Sequence, residues 1–98
     1  MMVTYVALVN WTDQGIKTVK DTAKRAEDVR KLVERMGGRM VVLYWTQGRY
    51  DLVGIFEGPD EETANAMFLA IGMNGAVRTE TLRAFTAEEV QRMVDKLP

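Results

Sequence analysis

Residues 40–57 read MVVLYWTQGRYDLVGIFE, and the reading of this stretch decides the fold. Two apolar runs, Met40 to Gln47 and Tyr50 to Glu57, flank Gly48-Arg49. Runs of this length, rich in β-branched and aromatic residues, form strands. A short connection containing glycine turns them back on each other as an antiparallel hairpin, since glycine accepts the positive φ that tight turns demand.

Working outward from the hairpin, Gly37-Gly38 marks the end of a helix on its N-terminal side. Ile16, Val19, Ala23, Ala26, Val29, Val33 and Met36 recur at steps of three and four, which predicts one long amphipathic helix over about 16–36. Val3 to Trp11, rich in Val, Tyr, Ala and Leu, reads as a strand, and Thr12-Asp13-Gln14-Gly15 breaks it with turn and cap chemistry. On the C-terminal side, Gly58-Pro59-Asp60 stops the sheet and caps a helix through Ala64, Met67, Phe68 and Ile71 that ends at Asn74-Gly75. Ala76 to Phe85 is a fourth strand. Thr86 and Glu89 form a capping box ahead of a last helix with Val90, Met93, Val94 and Leu97 in one stripe. The order βαββαβ plus a C-terminal helix is an α+β ferredoxin-like sandwich, with a four-stranded antiparallel sheet and two right-handed crossovers. At 98 residues it is expected to be one domain over 1–98.

Alternation within the strands carries a further consequence. Tyr5, Ala7 and Val9 oppose Val6 and Leu8; Met40, Val42 and Tyr44 oppose Val41, Leu43 and Trp45; Leu52 and Phe56 oppose Val53 and Ile55. Both faces of these strands are apolar, yet the two main helices cover one face only. The other would leave an apolar patch on the order of several hundred Å2, more than a monomer usually exposes. Pairing with a second sheet by two-fold symmetry is the simplest cover, so a homodimer through the sheet face is expected. At ~25 cal/mol per Å2 such burial contributes on the order of 10 kcal/mol before the costs of association. Ala66, Leu69, Ala70 and Met73 form a second apolar flank on the helix after the hairpin, to be covered either by the C-terminal helix or in a higher oligomer.

Composition excludes several chemistries. The chain has no cysteine and no histidine, which removes disulfides, thiolate nucleophiles, and Ser-His or Cys-His arrangements. A formal net charge of -1 lacks the basic surface that nucleic acid requires, so the RNA-binding use of this topology is disfavoured. No stretch approaches the roughly 20 apolar residues of a membrane span, and no secretory signal is visible in Met1-Met2-Val3-Thr4-Tyr5, so a cytoplasmic protein with no membrane or nucleic-acid partner is expected.

Gly48-Arg49-Tyr50-Asp51-Leu52-Val53, after Leu43-Tyr44-Trp45-Thr46, resembles the Gly-x-Tyr-Asp signature of the bacterial GYD-domain family. The likeness extends to Asn10-Trp11-Thr12-Asp13-Gln14-Gly15, to Arg25, and to Arg78-Thr79-Glu80-Thr81-Leu82-Arg83-Ala84-Phe85, and so covers nearly the whole chain. The resemblance implies membership of the dimeric α/β barrel group, whose sheets pair, and transfers no catalytic residue.

Candidate pocket residues follow from chemistry. Tyr50 and Asp51 begin the third strand on opposite faces. Asp51 either stands in a cavity as a base, caps the Gly48-Arg49 turn, or pairs with an arginine such as Arg49 or Arg83. Arg78 and Glu80 share a face with Leu82, while Thr79, Thr81 and Arg83 share the other with Val77 and Phe85; these polar groups either orient a ligand or mark an edge strand. Tyr44, Trp45 and Trp11 line an aromatic pocket or belong to core and interface. The seven methionines suit an adaptable wall or simple gap-filling. Asp60, Glu61 and Glu62 suit a helix start rather than a metal. No metal or cofactor is expected. The reading favours a homo-oligomeric module that binds a small apolar or aromatic molecule or has a regulatory or structural role. The alternative is a cofactor-independent enzyme of the dimeric α/β barrel type, acting on an aromatic or polyketide-like substrate through Asp51, Tyr50, Tyr44, Arg78 or Glu80.

Overall fold

The computed structural model describes residues 2–98; Met1 lies outside them. The elements are β1 (Val3–Trp11), α1 (Asp13–Lys17), a 3-10 turn (Val19–Asp21), α2 (Thr22–Arg35), β2 (Arg39–Trp45), β3 (Leu52–Gly58), α3 (Glu61–Met73), β4 (Val77–Ala84) and α4 (Ala87–Val94). The sheet order is β2-β3-β1-β4, with every neighbouring pair antiparallel. β1 and β2 therefore run parallel across β3, and β3 and β4 across β1. Each α-helical crossover spans one intervening strand, as a ferredoxin-like α+β fold requires. No helix among the described residues is long and apolar enough to cross a membrane.

The core lies between the sheet and one helical layer. Tyr5, Ala7 and Val9 of β1 and Leu52 and Phe56 of β3 face Val33 of α2 and Ala64, Met67, Phe68 and Ile71 of α3. Phe68 meets Tyr5 and Phe56 edge-on, at centroid separations of 5.7 and 5.4 Å, the geometry that the ring quadrupoles favour. Asp60 caps α3 by accepting from the Thr63 amide at 2.7 Å, and Gly37 and Gly75 hold positive φ of 89° and 81° just beyond α2 and α3.

Three local expectations are corrected. The helix expected over 16–36 is interrupted at Thr18, whose backbone (φ -110°, ψ 29°) leaves the helical region. The Arg25 guanidinium donates to the Thr18 carbonyl (2.8 Å), to Thr18 Oγ1 (2.7 Å) and to the Gly15 carbonyl (3.1 Å), occupying acceptors that a continuing helix would use. Gly15 explains where the short α1 sits, since a Cβ there would lie 1.9 Å from the Ala76 carbonyl oxygen. Ile16, placed on the apolar stripe by periodicity, is consequently exposed.

The second correction concerns β2. A bulge between Met40 and Val42 shifts the register against β3, so Met40 joins Leu43 and Trp45 on the helix side while Val42 and Tyr44 take the open side. Simple alternation places Met40 with Val42 and Tyr44. Third, the hairpin turn is longer than Gly48-Arg49. Pairing ends at Trp45–Leu52 and the loop closes through the Thr46 amide donating to the Asp51 carbonyl at 2.8 Å. Gly48 carries the positive φ, 97°.

Candidate functional site

The Gly-x-Tyr-Asp segment works as a clamp across the sheet. Asp51 donates its amide to the Val9 carbonyl (2.9 Å), although Val9 is the partner of Leu52, so the pairing slips by one residue as the chain enters β3. Its carboxylate Oδ2 then accepts the Trp11 amide at 2.9 Å, standing where the next strand carbonyl would be. Neither Arg49 nor Arg83 pairs with it. Tyr50 accepts from Thr46 Oγ1 through its carbonyl (2.6 Å) and donates its hydroxyl to Glu80 Oε1 (3.0 Å). The Arg49 guanidinium lies 5.8 Å from the Tyr50 ring centroid. The hairpin is thus tied to β1 by Asp51 and to β4 by Tyr50.

The register separates the remaining sequence candidates. Leu8 pairs with Glu80, Asn10 with Arg78 and Val6 with Leu82, which places Arg78, Glu80 and Leu82 on the open face with Tyr44. Val9 pairs with Thr79 and Ala7 with Thr81, which places the two threonines on the helix side with Trp45. Trp45 Nε1 donates to Thr22 Oγ1 at 2.9 Å. Of the eight residues Tyr50, Asp51, Arg78, Thr79, Glu80, Thr81, Tyr44 and Trp45, the fold brings Tyr50 and Glu80 into contact, and Thr79 alone of the eight reaches the apolar cavity under the helices.

That cavity, of about 60 Å3, lies between α2, α3 and the sheet. Ala7, Val9, Trp11, Val29, Phe68 and Val77 are among its walls, with Thr22 and Arg25 among its few polar ones. Beside it a cleft of about 420 Å3 opens between α1–α2 and the C-terminal end of α3, and the two share Arg25, Val29, Ile71 and Val77. The cleft adds Gln14, Thr18, Asp28, Arg35 and Asn74. In the sequence, Arg25 is marked only by the likeness to the family. Its function as the link between α1 and α2 depends on a kink that periodicity does not announce.

At the other end of the molecule, Arg83 joins the starts of two helices. Its guanidinium lies 3.5 Å from the Glu61 carboxylate and 3.8 Å from that of Glu89, and stacks 4.5 Å over the Phe85 ring. Its Nε, although near Glu61, has no hydrogen-bond partner among the described residues. This contact fixes where α4 begins. The helix then runs off the domain, leaving Val90, Met93, Val94 and Leu97 exposed, and the molecule measures 52 × 31 × 18 Å. It does not cover the outer flank of α3, where Leu69 is 72% and Met73 85% exposed. Of the two covers weighed for that flank, the chain's own C-terminal helix is therefore ruled out.

The model of the GYD domain family matches residues 5–94. The chain belongs to the GYD domain family. A relative from Thermus thermophilus, the "Glutamine synthetase and cystathionine beta-lyase binding protein", is 32% identical over 90 residues, covering 91% of this chain and 95% of the relative. A solved structure from the same species superposes with a TM-score of 0.55 at 23% identity, covering 87% of this chain and 95% of that one. A protein of unknown function from Rhodopseudomonas palustris superposes at 0.53 and 16% identity, covering 87% and 83%. Both likenesses concern the fold.

Proposed function

We propose that this GYD domain is a non-catalytic docking module, in which two copies close over the open sheet face and the outer helical surfaces receive a metabolic enzyme. The observation that carries the reading is the amount of apolar surface left in water. On the open face Leu82 and Tyr44 are exposed, and Val6, Leu8, Val42, Val53 and Ile55 are only half-buried, so the apolar second face inferred from alternation has no cover among the described residues. Leu69 and Met73 on α3 and the stripe on α4 form further apolar surfaces. A sheet face can pair with its own copy about a two-fold axis, and that pairing leaves the helical flanks for a different partner. The name of the Thermus relative, a binding protein for two enzymes, supports an enzyme as that partner.

The test has two arms. Native mass spectrometry and light scattering should give a dimer at micromolar concentration, and a monomer throughout that range would sink the self-association. Purified glutamine synthetase and cystathionine beta-lyase from the same host should bind the immobilised domain in biolayer interferometry. The double variant Leu69→Glu/Met73→Glu should weaken that binding at least tenfold and leave the oligomer unchanged. Binding to neither enzyme, or no effect of the double variant, would overturn the assignment of partner or surface respectively.

A further inference from the structure

The cavity and the cleft that share Arg25 have a chemistry that the docking reading does not use. The inner cavity is apolar apart from Thr22, Thr79 and Arg25. At roughly 10–15 Å3 for each water-sized group, its volume of about 60 Å3 admits about four to six non-hydrogen atoms. An apolar space of this kind gives water too few partners to occupy it favourably, so an aliphatic group is its natural filling.

The outer cleft carries charges of both signs on one helix, Arg25, Asp28 and Arg35 of α2. Arg25 is held in place by three donated hydrogen bonds, to Thr18 twice and to Gly15 once. A guanidinium has five N–H donors, so two are free, and no ion pair among the described residues neutralises its charge or that of Arg35. A pre-oriented, uncompensated guanidinium at the mouth of an apolar cavity matches a carboxylate. Asp28 stands one helical turn away on the same cleft. Its Oδ2 accepts from Lys24 at 3.1 Å, which leaves Oδ1 for a second cation. A carboxylate site, an ammonium site and a pocket for about four heavy atoms together describe one class of small molecule.

We propose that the α2–α3 cleft binds a free α-amino acid with an aliphatic or thioether side chain of about four heavy atoms, the size of leucine, isoleucine or methionine. The side chain enters the inner cavity past Val29 and Val77, the carboxylate meets the free donors of Arg25, and the ammonium meets Asp28. The proposal is independent of the docking surfaces, which lie on the open sheet face, the outer flank of α3 and α4.

The experiment is isothermal titration of the full chain with L-leucine and L-methionine, read in parallel by fluorescence, since Trp11 lines the cavity. Saturable binding with a Kd of 1 mM or below is expected, with L-glutamate and glycine at least tenfold weaker because neither fills the cavity with an apolar group. 4-Methylpentanoate, which is leucine without its ammonium, should also bind at least tenfold weaker. Asp28→Asn should remove that difference between leucine and 4-methylpentanoate without changing the fold, as Asp28 is exposed. Ala26→Leu, which fills the inner cavity, should abolish leucine binding while the circular dichroism spectrum stays unchanged; if this variant fails to fold, Asp28→Asn remains the deciding variant. No saturation by 10 mM, equal affinity for glutamate, or equal affinity for 4-methylpentanoate in the unaltered protein would each overturn the proposal.

Discussion

At the residue scale, Asp51 shows how a signature can be structural in its detail. Its carboxylate accepts the Trp11 amide at the end of β1, while its own backbone bonds Val9 and Thr46. One residue therefore ties the hairpin to the neighbouring strand through both backbone and side chain. Asp51→Ala leaves the Trp11 amide without its protein acceptor, and the site is half-buried, so we expect a loss of about 1 kcal/mol. Asp51→Asn keeps an oxygen in the same place and should stay close to the unaltered protein. Urea denaturation of the two variants checks this, and equal destabilisation would show that the charge rather than the acceptor matters. That Asp51 is a special residue was legible in its motif; its partner was not, because Trp11 is forty positions away and its amide has no side-chain signature.

At the scale of elements, the α4 cap makes the stability of that helix depend on pH. Thr86 Oγ1 accepts from the Glu89 amide at 3.1 Å, and the Glu89 carboxylate accepts from the Thr86 amide at 2.9 Å. The Thr86 backbone hydrogen bond is the main reason the Glu89 carboxyl titrates below its ordinary value of 4.5; Thr86 Oγ1, Arg83 and Arg92 add to the effect, and partial desolvation opposes it. A carboxyl whose pKa is lowered by folding contributes stability that is present in full above its unfolded value and is lost as pH falls through the folded value. Lowering the pH below about 4.5 should therefore fray α4. The amide shifts of residues 87–94, followed by NMR, should move towards coil values in that range, and Glu89→Gln should flatten the change. Asp60 behaves alike at the start of α3, where the Thr63 backbone amide lowers its carboxyl below 3.8. Because α4 is held to the domain mainly through Arg83 and its cap, it should respond before α3, which is anchored by buried Met67, Phe68 and Ile71.

At the scale of the whole molecule, uncovered apolar surface is the governing feature. The sheet's second face, the outer flank of α3 and the stripe of α4 all lie open. If two copies pair by their sheets, a charge in the centre of that face must be buried without a partner. Val6 pairs with Ile55 and Leu82 across the sheet, so Val6→Lys places an ammonium among apolar neighbours. We expect it to shift the dimer towards monomer at least a hundredfold in Kd, measured by analytical ultracentrifugation, because an unpaired buried charge costs several kcal/mol. The fold of the monomer should persist, since the core lies on the opposite face.

The sequence by itself determined the element order, the ferredoxin-like class, the capping of α3 and α4, and the apolar character of both sheet faces. These depend on periodicity and on cap chemistry, which act over a few residues and are written in neighbouring positions. Only the tertiary structure decided where the long first helix breaks, which side of the sheet Met40 faces, where α4 lies, and that Arg25 and Asp28 share a cleft over an apolar cavity. Each of those depends on contacts between segments distant in the chain. The kink needs the close approach of Gly15 to Ala76 and the reach of Arg25 to Thr18. The face of Met40 depends on a one-residue bulge against β3, which inverts every alternation beyond it. The cleft exists because α2 and α3, fixed by their own packing on the sheet, leave a gap between them.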